Sequence, residues 1–242
     1  TTTTLIYEIL KQDGYNCYIG GNIGKPLFTK IKDMDPEDIV VLELSSFQLM
    51  NMKISPKISV ITNITPNHLN IHTDMDEYIE AKKSIFKYQD KDGLLILNYD
   101  NEITRNCAKE AKGKVEFFSS KNKIREGYLV DVEDGKIKIC ENGLRRHAFD
   151  TRNMKLRGVH NFENACCAII ATKGLVKKES VETVLTEFNG VEHRLELIKE
   201  TKTRIKWYND SVSSSPTRTI AGLNAFALKN INLIAGGYDK NL

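Results

Sequence analysis

The stretch Val40-Val41-Leu42-Glu43-Leu44-Ser45-Ser46-Phe47-Gln48-Leu49 decides how the rest of the chain is read. Its apolar run, 39–42, has the composition of a strand covered on both faces, as in parallel sheets. The run ends abruptly in an acidic residue, two serines and an amide. In open α/β sheets, ligands sit just beyond the carboxyl ends of the strands. A carboxylate there can reach a metal or a phosphate-bound cation. The same residues also fit a plain strand-to-helix turn, with Ser45 or Ser46 as the helix N-cap.

The next apolar run, Ile58-Ser59-Val60-Ile61-Thr62-Asn63-Ile64, leads into Thr65-Pro66-Asn67-His68-Leu69-Asn70. Pro66 keeps Thr65 out of the α region and closes the strand. Two successive strands are therefore expected to bring Glu43 and His68 to one sheet edge. The helix predicted over 75–89 carries Glu80-Ala81-Lys82-Lys83 about one turn in. A zinc pair made of His68 and His72 is disfavoured, because Asn70 and Asp74 flank them and no Cys or Glu stands at ligand spacing.

Composition narrows the classes. The 242 residues suffice for one large or two small domains. With 40% hydrophobic and 28% charged residues, the chain reads as a globular protein. Lys plus Arg is 35 against 32 for Asp plus Glu, a net charge of +3. That balance argues against nucleic acid as a partner, and no basic stripe with interleaved aromatics is present. No apolar run approaches membrane-spanning length, so no membrane partner is expected. Cys17, Cys107, Cys140, Cys166 and Cys167 form an odd set without a CxxC, which reads as reduced thiols of a cytoplasmic protein.

Further along, strands and helices alternate: helix 1–13, strand 15–19, glycine loop 20–24, short helix 26–32 and strand 38–44, then strand 58–64, helix 75–89, strand 93–98, helix 101–111 and strand 115–118. This rhythm predicts an α/β fold with a doubly wound, mostly parallel sheet and helices on both faces. Two segments, 127–133 and 136–141, flank Asp134-Gly135, a hairpin signal; with 145–149 they predict a small antiparallel insert. Helices follow over 158–173 and 179–189. After residue 190 the rhythm restarts with strands 195–200 and 204–209, helix 216–227 and strand 230–235. Ser215-Pro216 fits an N-cap with Pro at the first helical position. A domain boundary is placed near 190, separating 1–190 from a shorter, truncated Rossmann-like unit, 191–242. Thr1-Thr2-Thr3-Thr4 runs straight into a helical pattern, and the chain stops soon after Gly236-Gly237, so both ends read as cut.

Singly, the remaining motifs are weak. Gly20-Gly21-Asn22-Ile23-Gly24 allows a tight turn and close backbone approach to a ligand, but such loops are often only turns. A threonine run at a helix start fits the end of a phosphate-binding loop, or simple capping. Together they resemble a known family. Gly20–24, Leu42–Leu49, Asn63–His68, Ala81-Lys82, Gly158-Val159-His160-Asn161-Phe162-Glu163-Asn164-Ala165, His193-Arg194, Asn209-Asp210-Ser211 and Gly236-Gly237 occur in the order and with the gaps of the Mur ligases. The form Glu43-Leu44-Ser45-Ser46-Phe47-Gln48-Leu49 resembles the branch that adds D-glutamate.

The resemblance implies a central ATPase domain, with a P-loop-type sheet, and the start of a C-terminal Rossmann-like domain. It implies ATP-dependent amide formation between UDP-N-acetylmuramoyl-L-alanine and D-glutamate through an acyl phosphate, with two Mg²⁺ sites and a monomeric enzyme. By the same resemblance, Glu43 and His68 are magnesium ligands and Lys82 is a lysine that becomes a ligand when carbamylated. Thr1, Asn161, Asn164, Arg194 and Asp210 fall on the nucleotide side. Asn22, Ser45, Ser46 and Lys240 fall on the substrate side. Two departures stand out: the glycine-lysine part of a phosphate loop is absent, and Val212 stands where many relatives carry lysine. The readings kept beside this one are another Mur-type or folylpolyglutamate-type amide ligase, and a non-catalytic nucleotide-binding module.

Overall fold

The structure, a computed structural model, describes residues 1–66, 72–226 and 230–237. The first helix, α1 (Thr2–Gln12), buries Thr3, Leu5, Ile9 and Leu10, the stripe its helical period predicts. Strands β1 (Cys17–Gly21) and β2 (Ile39–Glu43) pair in parallel and lie against α1. A short α2 (Ser46–Leu49) follows, then β3 (Ile58–Ile61), α3 (Met75–Lys87), β4 (Leu94–Asn98), α4 (Glu102–Cys107) and β5 (Lys114–Ser119).

Strands β6 (Gly127–Asp131), β7 (Lys136–Glu141) and β8 (Leu144–Asp150) form a meander. The insert expected from sequence is therefore antiparallel, but it is not a separate sheet. It extends the main one: six strands run in the order β3-β4-β5-β6-β7-β8, parallel through β6 and antiparallel beyond it.

Helices cover both faces of this sheet. On one face α1 joins α5 (Val159–Thr172) and α6 (Lys178–Glu187) around Leu5, Ile9, Ile96, Phe118, Cys166 and Leu185. On the other, α3 and α4 close over Ile61, Phe86, Leu95, Leu97 and Cys107. In β4, Ile96 points to the first cluster while Leu95 and Leu97 point to the second. That alternation explains why a parallel strand shows an unbroken apolar run. The five cysteines are all free.

Two expectations are corrected. β2 and β3 do not share a sheet; β1 and β2 form their own two-stranded ladder. Periodicity marks each strand, whereas the choice of neighbour is made over a distance that no local pattern encodes. The strand expected over 230–235 is absent: residues 230–237 have no regular structure, and Ile234 is 84% exposed. An apolar run becomes a strand only with a ladder partner, and none lies beside it among the described residues. Between these points, β9 (Glu196–Glu200) and β10 (Lys206–Asn209) pair antiparallel, and α7 (Pro216–Asn224) closes the described order.

Candidate active site

Glu43 stands at the carboxyl end of β2, opposite Gly21. Gly21 takes φ +95°, and a Cβ there would run into the Glu43 carbonyl oxygen. The same carbonyl accepts the Asn22 N–H at 2.6 Å. The glycine loop is thus tied to the Glu43 position by backbone contact, while the Asn22 side chain stays exposed. The Glu43 carboxylate is half-buried and makes no hydrogen bond or ion pair among the described residues. A half-buried oxygen anion without a committed partner fits the donor set of a hard cation. Among the described residues, no group of three His, Cys, Asp or Glu side chains forms a cation cage; the expected ligand His68, and Lys240, lie outside the described residues.

Several long-range neighbours converge here. Burial lowers Arg194; Arg218 adds to that effect, while Asp210 and Glu43 oppose it. Lys82 is lowered by burial first and by Arg218 second. His160, at the start of α5, is lowered by burial and by Arg194, against Asp210. Glu43, Asp210 and Arg218 therefore all lie within electrostatic reach of Arg194, and Lys82 is linked to this group through Arg218. Sequence reading missed Arg218. It follows Ser215-Pro216 in the first turn of α7, where a lone arginine carries no local signal.

Arg194 is held by a taut turn. His193 and Leu195 on either side have φ 63° and 46°, backbone that costs a non-glycine residue about 1–3 kcal/mol each. Consecutive residues offset this cost. The Asn209 side chain bonds His193 Nδ1 at 2.9 Å, and Asp210 Oδ1 accepts the Leu195 N–H at 3.1 Å. Gly222 of α7 packs so closely on Asp210 that a Cβ there would come 2.9 Å from Oδ2. The Asn209-Asp210 pair thus clamps the loop bearing Arg194 and seats α7.

Other expected residues are committed inside the protein. Ser45 caps α2: its Oγ accepts the Gln48 N–H at 3.3 Å, and Gln48 Oε1 accepts the Ser45 N–H at 3.0 Å. Ser46 is 2% exposed, with its Oγ 2.9 Å from His72 Nε2. Asn161 is 3% exposed and donates from Nδ2 to the Arg157 carbonyl at 2.7 Å. Asn164 donates to Asn161 Oδ1 at 3.3 Å and accepts from Thr2 Oγ1 at 2.7 Å, which ties α5 to the first turn of α1. Two hollows of about 300 and 280 Å³ hold none of these residues; one lies against Lys83 and Glu110, the other against Tyr128 and Lys173.

The Mur ligase middle domain matches residues 1–172. The UDP-N-acetylmuramoylalanine–D-glutamate ligase of Clostridium kluyveri is 52% identical over 242 residues, covering all of this chain and 51% of that protein. That of Acetivibrio thermocellus is 49% identical with the same coverage. The chain thus spans about half the length of the curated relatives it matches. Among solved structures, UDP-N-acetylmuramate-alanine ligase of Thermotoga maritima superposes with a TM-score of 0.64 at 21% identity, over 93% of this chain and 50% of that one. A pseudomurein peptide ligase of Methanothermus fervidus gives 0.60 at 18%, over 86% and 50%. These two likenesses concern the fold alone. By the family match over most of its length, the chain belongs to the Mur ligase family.

Proposed function

We propose that this protein is an ATP-dependent ligase that joins D-glutamate to UDP-N-acetylmuramoyl-L-alanine. The observation that carries the proposal is Glu43: a half-buried carboxylate at a strand end, with no hydrogen bond or ion pair among the described residues, acting on Arg194 together with Asp210. Proteins bearing that activity in their names align over the whole of this chain at about half identity, the chain covering 51% of each.

In the proposed reaction, a carboxylate oxygen of the UDP-linked substrate takes the γ-phosphoryl group of ATP and ADP leaves. The amine of D-glutamate then attacks the acyl carbon, phosphate departs, and the amine gives up a proton. Phosphoryl transfer demands positioning and charge neutralisation more than covalent help. Glu43, His68 and carbamylated Lys82 are the residues proposed to hold Mg²⁺, which when bound neutralises the charge of the transferring group. An unmodified lysine ammonium has only donors and cannot ligate a cation; carbamylation turns it into an oxygen acceptor. Arg194, braced by Asp210, offers a fixed guanidinium to nucleotide phosphate. Thr1 and Asn164 line the nucleotide side, the buried Asn161 acting through its bond to Asn164, and Asn22, Ser45 and Lys240 line the substrate side, with Ser46 buried against His72. In this reading residues 1–190 form the ATPase unit and 191–242 begin the amino-acid-binding unit, in a monomer acting on small molecules in the cytoplasm.

Phosphate release by the full-length protein tests this. Release is expected only when ATP, UDP-N-acetylmuramoyl-L-alanine and D-glutamate are all present. Preference for L-glutamate or L-lysine as acceptor moves the protein to another branch of amide ligases. Nucleotide binding with no substrate-dependent release leaves a non-catalytic module.

A further inference from the structure

Three rings stand in a row between the end of β2 and the middle of α3. Phe47 stacks on His72, with centroids 5.1 Å apart and planes 6° from parallel. His72 meets Tyr78 edge-on, at 5.2 Å and 64°. Lys82, one helical turn beyond Tyr78, carries its Nζ over the Tyr78 ring, 5.0 Å from the centroid. His72 is buried, with Nε2 2.9 Å from Ser46 Oγ. Among the described residues its Nδ1 has no hydrogen-bond partner; Glu77 Oε2 is 3.9 Å away.

A serine and histidine at this separation look like a nucleophile and its base. Ser46 is too buried for a substrate to reach its Oγ, so the pair does no such chemistry. Filling space does not account for it either. An apolar side chain would fill the same volume without leaving a ring nitrogen unsatisfied. What the imidazole does that a leucine cannot is bond the first residue of α2 and face an aromatic ring on each side. Its two neighbours are the segments that carry Glu43 and Lys82: α2 begins three residues after Glu43, and α3 holds Lys82.

We propose that Phe47, His72 and Tyr78 form a ladder that sets the Lys82 amine relative to Glu43, with His72 as a positioning residue of the site. The proposal rests on the reading that Glu43 and Lys82 serve one reaction. Ring stacking resists sliding and tilting, and in the unmodified lysine the cation–π contact holds the amine at the last rung, the place where it is carbamylated in the proposed reading. A displacement of about 1 Å at a reacting group costs on the order of a hundredfold in rate, so a ladder of this kind acts on turnover rather than on affinity.

Reductive ¹³C-methylation of the lysines, in bicarbonate-free buffer, puts an NMR probe on the amine that needs no activity. The Lys82 methyl signal, identified by its loss in Lys82→Arg, is expected upfield of the exposed lysines because of the Tyr78 ring current. Tyr78→Phe should keep that shift and Tyr78→Leu should abolish it. His72→Ala and His72→Asn should both move the signal toward the exposed lysines. Asn keeps a partner for Ser46, so a wild-type signal in folded His72→Asn overturns the ladder. Should His72→Ala fail to fold, the Tyr78 pair still decides: equal signals in Tyr78→Leu and Tyr78→Phe overturn it as well. In the full-length ligase, His72→Asn is expected to lower kcat about tenfold or more, with KM for ATP within about twofold. A moved signal with unchanged kcat leaves the ladder standing and removes Lys82 from the reaction instead.

Discussion

At Gly21 the left-handed backbone and the nearby Glu43 carbonyl leave no room for a side chain. Gly21→Ala is expected to cost about 1–3 kcal/mol from backbone strain alone, read by chemical denaturation, and to push the end of β2 away from its place. Glu163 gives a pH signature. Burial raises its carboxyl above the ordinary value and Asp100 adds to this, against a hydrogen bond from Ser120. The folded state then holds this proton more tightly than the unfolded chain does. Stability from this group is present below the unfolded value and is lost as pH rises through the folded one. Glu163→Gln should therefore be more stable than the parent at neutral pH and flatter in melting temperature between about pH 4 and pH 7; a parallel pair of curves would count against it. The sequence singled out Glu43, Lys82, Arg194 and Asp210, and the structure sets Glu43 and Asp210 within electrostatic reach of Arg194. The environments were not legible in the sequence. Ser45 and Ser46 read equally well as substrate contacts or caps, and only the positions of Gln48 and His72 show where their hydroxyls point.

Among the elements, β4 and β2 make opposite cases of the same apolar composition. β4 has a neighbour on each side, with Ile96 and Leu97 fully buried against different helices. Ile96→Ala is expected to cost about 2–5 kcal/mol. On β2, Val40 is 42% exposed, and Val40→Ala should stay within about 0.5 kcal/mol. Urea midpoints of the two variants test the contrast. Helix limits were read closely where caps and period agree: α3 starts after Asp74, whose carboxylate accepts the Glu77 N–H at 2.8 Å. The same logic failed at 230–235, because apolar content marks a segment able to be a strand, while pairing needs an edge to join.

Across the whole molecule, the site is assembled from segments far apart in the chain, and its charges act between them. Arg218, from α7, helps lower Lys82 on α3 after the larger effect of burial. Arg218→Met should raise the Lys82 titration part of the way to an ordinary lysine while burial keeps it below; an unmoved titration, followed by lysine NMR, would sink that link. The sequence by itself determined the order of elements, the two-faced apolar strands, the caps and the motif at the end of β2, because these depend on period and turn chemistry among near neighbours. Only the tertiary structure decided that β1 and β2 stand as their own ladder, that the meander extends the main sheet, that His72 spends its bond on Ser46, and that Arg218 comes to Lys82. Those outcomes depend on which distant surfaces pack together, a choice made by shape, burial and charge over the folded chain rather than by any local pattern.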